Sequence, residues 1–214
     1  GGLPKSVEAT TLNKMCGSGM QAAIMGRSAI MSGDADIIVA GGMESMSNAP
    51  HMMPTHRAGF KYGHDVLKDH MAQDGLEDAY EKKPMGVYAD MIAQEHQFTR
   101  EQQDAYALET LARAQRATKD GDFKREITPV TLTTRKGDVV VDTDELPRRA
   151  MPDKIPSLRP AFSKDGTVTA ANASGISDGA AALVLMRKSE AERRGLKPLA
   201  RIVATAAHAH EPAY

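Results

Sequence analysis

The chain has 214 residues, 27 basic and 28 acidic side chains for a net charge of -1, 41% hydrophobic residues, one cysteine and no tryptophan. That composition suits a folded chain with a real core, arranged as one large domain or one domain carrying a big insertion. The charge lacks the basic surplus of a nucleic-acid or anionic-membrane binder, a lone cysteine excludes an internal disulfide and a cysteine-pair zinc site, and the longest apolar runs, 37–40 and 180–186, are far too short to span a bilayer.

A cytoplasmic location is the expectation from cysteine usage. The opening Gly1-Gly2-Leu3-Pro4-Lys5 has neither the charged nor the apolar region of a signal peptide, and its abruptness reads as an excised piece. Residues 7–12 mix β-branched and threonine side chains and predict a strand. The small-residue passage Cys16-Gly17-Ser18-Gly19 then leads into a helix. Met20, Ala23, Ile24 and Met31 fall on one side of it and Ala22, Met25 and Ala29 on the other, which predicts a helix buried all round and ended by Gly33. Residues 37–40 form a short apolar strand, so the chain opens with the β-turn-α-β arrangement of an α/β protein.

From Met43 to about Ser163 the character changes to Met, His, Pro and charged residues, the composition of an insertion, with helices predicted over 65–73 and 88–96. Thr99 and Gln102 form a capping box for a longer helix running to about Lys119 and stopped by Gly121. Residues 127–133 and 139–142 flank Arg135-Lys136-Gly137-Asp138 and predict a β-hairpin. Pro147, Pro152, Pro156 and Pro160 predict an extended, non-helical stretch. A buried strand over 180–186, a short helix over 189–194 ended by Gly195, and a final strand over 201–206 complete the reading.

Cys16 is the sharpest chemical feature. It lies between a predicted strand and the first turn of a helix, where unpaired backbone N–H groups and the helix dipole favour negative charge on sulfur. Gly17 and Gly19 let a carbonyl substrate approach the backbone, whose N–H at residue 16 could serve as an oxyanion donor. A buried structural cysteine is the competing reading. A third reading uses Gly17-Ser18-Gly19-Met20-Gln21-Ala22 as a G-x-G-x-x-A dinucleotide fingerprint with Glu44 as ribose ligand. The polar residues Glu8, Asn13 and Lys14 ahead of it weigh against that. The seven histidines carry no paired-carboxylate pattern of a metal site, so no metal site is expected.

Asn13-Lys14-Met15-Cys16-Gly17-Ser18-Gly19-Met20, Ala40-Gly41-Gly42-Met43-Glu44-Ser45-Met46-Ser47 and Asn172-Ala173-Ser174-Gly175-Ile176-Ser177-Asp178-Gly179-Ala180-Ala181 together resemble the thiolases, and among them the acetyl-CoA C-acetyltransferases. The resemblance extends to Leu158-Arg159-Pro160-Ala161-Phe162 and Met85-Gly86 and covers essentially the whole chain. It implies an α/β thiolase-like N-terminal domain, with βαβ units and a mixed sheet, interrupted by a large α+β loop domain. The implied division is 1–45 with the nucleophile, 46–176 as the CoA-binding loop domain, 177–198 as the return segment and 199–214 as the start of a link to a further domain.

The same resemblance implies that Cys16 accepts an acyl group from acyl-CoA and that Ser174, Gly175 and Ala170 line the pantetheine tunnel. Phe162 packs on that tunnel, Leu76 and Met85 add apolar contacts, and Arg148 sits near the adenine end. No resident cofactor is implied, because CoA thioesters are the substrates, and the implied assembly is a homodimer or homotetramer serving fatty acid metabolism. Two departures matter. Many short-chain thiolases have His where this chain has Pro84, which leaves the acyl-chain preference open. The family's His and Asn from its C-terminal half and its second Cys have no counterpart here, so the chain resembles the middle half of a thiolase, and by itself it is expected to be inactive.

Overall fold

Helix α1, Ser18–Ser32, begins one residue after Gly17 and ends at Gly33, whose left-handed φ of 91° lets its N–H reach Ala29 O. A short turn leads into strand β1, Ile37–Ser45, which pairs antiparallel with β6, Asp178–Met186, from Ile37 opposite Met186 to Ser45 opposite Asp178. The computed structural model describes residues 2–211. They divide into two units, residues 2–75 with 176–211 and residues 76–175, and the strand pairings form small two-stranded antiparallel sheets.

In the first unit α1 packs on the β1–β6 sheet and buries Gly26 and Ile30 against it, with Ala40 buried on the strand. The two backbones meet at Gly42, where a Cβ would lie 3.1 Å from Gly19 Cα and would push the first turn of α1 away from the strand. At the other end of the helix, Arg187 donates to Ile30 O from Nε at 3.2 Å and Nη2 at 2.9 Å, so a cation at the exit of β6 satisfies a carbonyl in the last turn. Asp178, at the start of β6, accepts the Ser47 N–H at 2.9 Å, and that bond holds its carboxyl below the usual carboxylate range. Helix α5, Lys188–Arg193, follows β6 and ends near Gly195 as predicted.

Five expectations for this unit are corrected. Residues 7–12 form no ladder and are almost wholly exposed, because no described strand lies beside them to accept their hydrogen bonds. Helix α1 is not buried all round: Met20 is 74% and Met31 66% exposed, since only one face meets a sheet within the unit. The apolar residues of β6 are likewise largely exposed rather than buried. Of the helix expected over 65–73 only the end forms: residues 70 and 71 are helical and run into a π turn, Ala72–Leu76, while 65–69 are not helical. Lys68–Asp69 (β3) pairs with His51–Met52 (β2), which holds those residues extended, and Asp69 Oδ1 accepts the Met71 N–H at 2.8 Å and so caps the helical turn that starts after it. Residues 201–206 also lack strand structure.

The second unit is built on α2, Met85–Glu95, and α3, Arg100–Asp120. The predicted capping box is present, with the Gln102 N–H on Thr99 Oγ1 at 3.2 Å and the Thr99 N–H on Gln102 Oε1 at 2.9 Å. Gly121 ends α3 at φ 78°. The hairpin forms from β4, Val130–Thr134, and β5, Gly137–Val141. The proline-punctuated stretch is more helical than expected: α4, Glu145–Arg149, contains Pro147, and Pro152–Ser157 is a 3-10 helix. Pro147 sits in a first turn and Pro152 at a first position, where no backbone N–H is required of them. The core holds Tyr88, Ala93, Ala107, Ile155 and Val168, and buries the polar residues Asp78, Asp104 and Thr169 with them. No described helix is long and apolar enough to cross a membrane.

Candidate active site

Cys16 stands in a tight turn whose hydrogen bonds close on both sides of it. Asn13 Oδ1 accepts the Met15 N–H at 2.9 Å, and Lys14 O accepts the Gly17 N–H at 3.0 Å. Ser18 closes the turn: its Oγ accepts from the Lys14 N–H at 2.9 Å and donates to Met15 O at 2.6 Å, while its N–H donates to the same carbonyl at 3.1 Å. Between these bonds Met15 is held at φ 50°, a left-handed conformation that costs a non-glycine residue about 1–3 kcal/mol. The turn therefore dictates the backbone entering Cys16, at the expense of local strain.

The thiol is free and exposed, and it makes no side-chain hydrogen bond among the described residues. Nothing among the described residues buries it as a structural cysteine. Helix α1 starts two residues later with no acidic side chain in its first turn and no side-chain cap from Gly17, so its positive end is not neutralised from within the helix. A nucleophile beside such an end can attack a carbonyl whose developing oxyanion meets backbone N–H groups.

The other predicted site residues all lie in the unit 76–175. Leu76 ends the π turn and Met85 opens α2, and both are exposed. Phe162 lies flat on the backbone of Gly86, where any Cβ would overlap its ring, and keeps 43% of its surface exposed. Only glycine fits beneath that ring. Arg148 is exposed in the last turn of α4, and it is Arg149 that pairs with Glu145, at 2.8 Å, so Arg148 carries its charge without an ion pair among the described residues. Ala170, Ser174 and Gly175 are exposed, with Leu146 set against Gly175, where a Cβ would come 2.7 Å from Leu146 Cδ1. The structure thus joins Phe162 to the start of α2 beside Met85, and Gly175 to α4 beside Arg148.

Sequence reasoning missed Gly86 and Leu146 as partners of these residues, and it missed the supports beneath them, Arg100, Asp104 and Asn172. The i, i+4 spacing of Arg100 and Asp104 on α3 was a readable signal, but nothing in spacing ties that pair to a loop about 70 positions later. The dinucleotide alternative lacks the strand it needs ahead of the glycine turn: residues 7–12 form no ladder among the described residues, so no parallel βαβ unit frames the fingerprint. No group of three or more metal-binding side chains occurs among the described residues.

A family model of the thiolase N-terminal domain matches residues 1–189, and the chain belongs to the thiolase family. It is 50% identical over 214 residues to an acetyl-CoA acetyltransferase of Allochromatium vinosum and 48% identical over 213 residues to one of Schizosaccharomyces pombe, in each case over 99% of this chain and 54% of the relative. Among solved structures it is similar to the Acat5 thiolase from Ascaris suum in complex with coenzyme A, with a TM-score of 0.83 and 47% identity over 91% of this chain and 50% of that one. The chain spans about half the length of the curated relatives it matches.

Proposed function

We propose that this chain supplies the acyl-accepting half of an acetyl-CoA acetyltransferase. The observation that carries the reading is the exposed Cys16 thiol, held by the strained turn at the uncapped start of α1 in a chain of the thiolase family. The Cys16 sulfur attacks the thioester carbonyl, the carbonyl electrons move onto oxygen beside the N-terminal N–H groups of α1, and the tetrahedral adduct collapses by breaking the bond to the CoA sulfur. The proton of the Cys16 thiol passes to the departing sulfur, so the products are S-acyl-Cys16 and CoA. A second CoA thiolate or an acyl-CoA carbanion then takes the acyl group and releases Cys16 as the thiolate, which takes a proton to return to the thiol.

In this reading Leu76, Met85, Phe162, Ala170, Ser174 and Gly175 contact the pantetheine arm of CoA and Arg148 meets its phosphate-bearing end. The exposed faces of these residues and the coenzyme A bound to the similar Ascaris suum thiolase support that assignment. Two variants separate chemistry from binding when CoA affinity and acyl transfer from acetyl-CoA are measured together. Cys16→Ala is expected to abolish acyl transfer and leave CoA affinity within a few-fold, while Ser174→Leu weakens CoA about tenfold or more by blocking the tunnel. Unchanged affinity in Ser174→Leu removes that residue from the site, and undiminished transfer by Cys16→Ala removes the nucleophile.

A further inference from the structure

The segment that carries Phe162, Ala170, Ser174 and Gly175 is anchored from the core side by a buried polar network on α3. Arg100 donates from Nε to Asp104 Oδ2 at 2.7 Å and from Nη2 to two loop carbonyls, Ile155 O at 3.0 Å and Leu158 O at 2.9 Å. Asp104, only 5% exposed, turns its other oxygen to Asn172 Nδ2 at 3.2 Å. Asn172 spends its remaining groups on the loop itself, donating to Thr167 O at 3.1 Å and accepting the Thr169 N–H at 2.7 Å. Asp90 of α2 completes the anchorage by accepting the N–H groups of Thr167 and Val168 at 2.8 and 2.9 Å.

A buried ion pair is a poor way to add stability, because desolvation offsets most of its attraction, and apolar side chains of similar volume would hold α3 in place as well. What apolar side chains could not do is fix the positions of four named loop groups, the carbonyls of 155, 158 and 167 and the N–H of 169. The network therefore determines loop conformation more than helix packing. Its effect falls on the exposed side: with Thr169 fully buried and Asn172 closing the turn, Ala170 is presented to solvent, and Ser174 and Gly175 leave the turn in a set direction.

We propose that Asn172, held by the Arg100–Asp104 pair, is a positioning residue for coenzyme A, locking the 158–175 segment in the geometry its contact residues need. The proposal rests on the CoA-binding reading above. None of the three side chains touches the ligand in this account. They act by removing loop freedom that binding would otherwise have to remove, so their loss appears in CoA affinity and not in the reactivity of the Cys16 thiol.

Asn172→Asp tests this with a built-in control. The charged groups in the network around it are Asp104 and Arg100 from α3 and Asp90 from α2. Above the acid range the introduced carboxylate faces Asp104 and has no proton to donate to it or to Thr167 O. Two carboxylates so close raise the pKa of the pair, so on acidification a shared proton restores the bond to Asp104, though not a second one to Thr167 O. Kd for CoA, measured by titration calorimetry and taken as the ratio of variant to wild type at each pH, is expected to be about tenfold or more at pH 8 and to fall toward one near pH 5.5. The rate of Cys16 alkylation by iodoacetamide is expected to stay unchanged. Asn172→Ala, read alongside in case the charged variant does not fold, raises the ratio equally at both pH values. A ratio near one at pH 8 in every folded variant overturns the positioning role alone, as does a loss of affinity that tracks a fall in Cys16 alkylation. A wild-type protein that does not bind CoA overturns the CoA-binding reading and this proposal with it.

Discussion

Ser18 holds the turn before α1 through three hydrogen bonds, two of them to Met15 O, the carbonyl of the residue whose left-handed backbone leads into Cys16. Its side chain is thus the main restraint on a conformation that methionine avoids. Ser18→Ala removes both Oγ bonds, and it is expected to lower unfolding stability by about 1 kcal/mol and to slow Cys16 alkylation several-fold, while Ser18→Thr keeps both properties. Denaturant unfolding and a timed iodoacetamide reaction read the two effects. An alkylation rate identical in Ser18→Ala and wild type would show that the turn does not govern the thiol. At this scale Cys16 and its helix-start position were legible in the sequence. Met15 was not, because nothing in its residue type announces a positive φ that neighbouring Asn13 and Ser18 impose from outside.

Local rules worked best for elements whose hydrogen bonds close within a few residues. The Thr99/Gln102 capping box, the Gly33 and Gly121 stops and the β4–β5 hairpin all form as read, since each is satisfied by atoms close in sequence. Thr99→Ala is expected to destabilise the unit 76–175 by about 1 kcal/mol, measurable as a shift in its unfolding midpoint, and no shift would mean α3 is held by packing alone. Elements that depend on distant partners were misread: residues 7–12 and 201–206 have strand composition but no described ladder partner, and pairing with β2 keeps 68–69 extended, so the helix expected over 65–73 begins only at residue 70. Helix α5 offers a pH test. Hydrogen bonds from Arg193 and then Arg194 lower the Glu190 pKa to about 2, below its unfolded value. Such a carboxylate stabilises the helix above about pH 4.5 and loses that contribution as pH falls through about 2. An α5 backbone amide signal should therefore shift in that window, and Glu190→Gln should remove the pH dependence; a transition near pH 4.5 in the wild type would show that the arginines do not hold the carboxylate.

At the level of the whole molecule, the proposed nucleophile has no hydrogen-bonded base among the described residues. Among the described residues no histidine hydrogen-bonds the Cys16 sulfur, and the chain spans about half the length of the acetyl-CoA acetyltransferases it resembles. Carbanion formation and acid return both need a proton-transfer group placed against the substrate. The 214-residue chain alone is therefore expected to show no thiolysis of acetoacetyl-CoA above a blank, and turnover approaching that of a full-length relative would place a catalytic base within residues 1–214. The three motifs made the thiolase family legible, whereas the buried Arg100–Asp104–Asn172 support was not, because it joins α3 to a loop through contacts that no periodicity encodes. The central claim is that Cys16 takes the acyl group, and peptide mass spectrometry of the protein after exposure to acetyl-CoA tests it most directly. One hydroxylamine-labile acetyl group is expected on the peptide containing Cys16 and none in Cys16→Ala; acetylation of equal yield in that variant, or an acetyl group elsewhere with the Cys16 thiol free, would rule out Cys16 as the acyl acceptor.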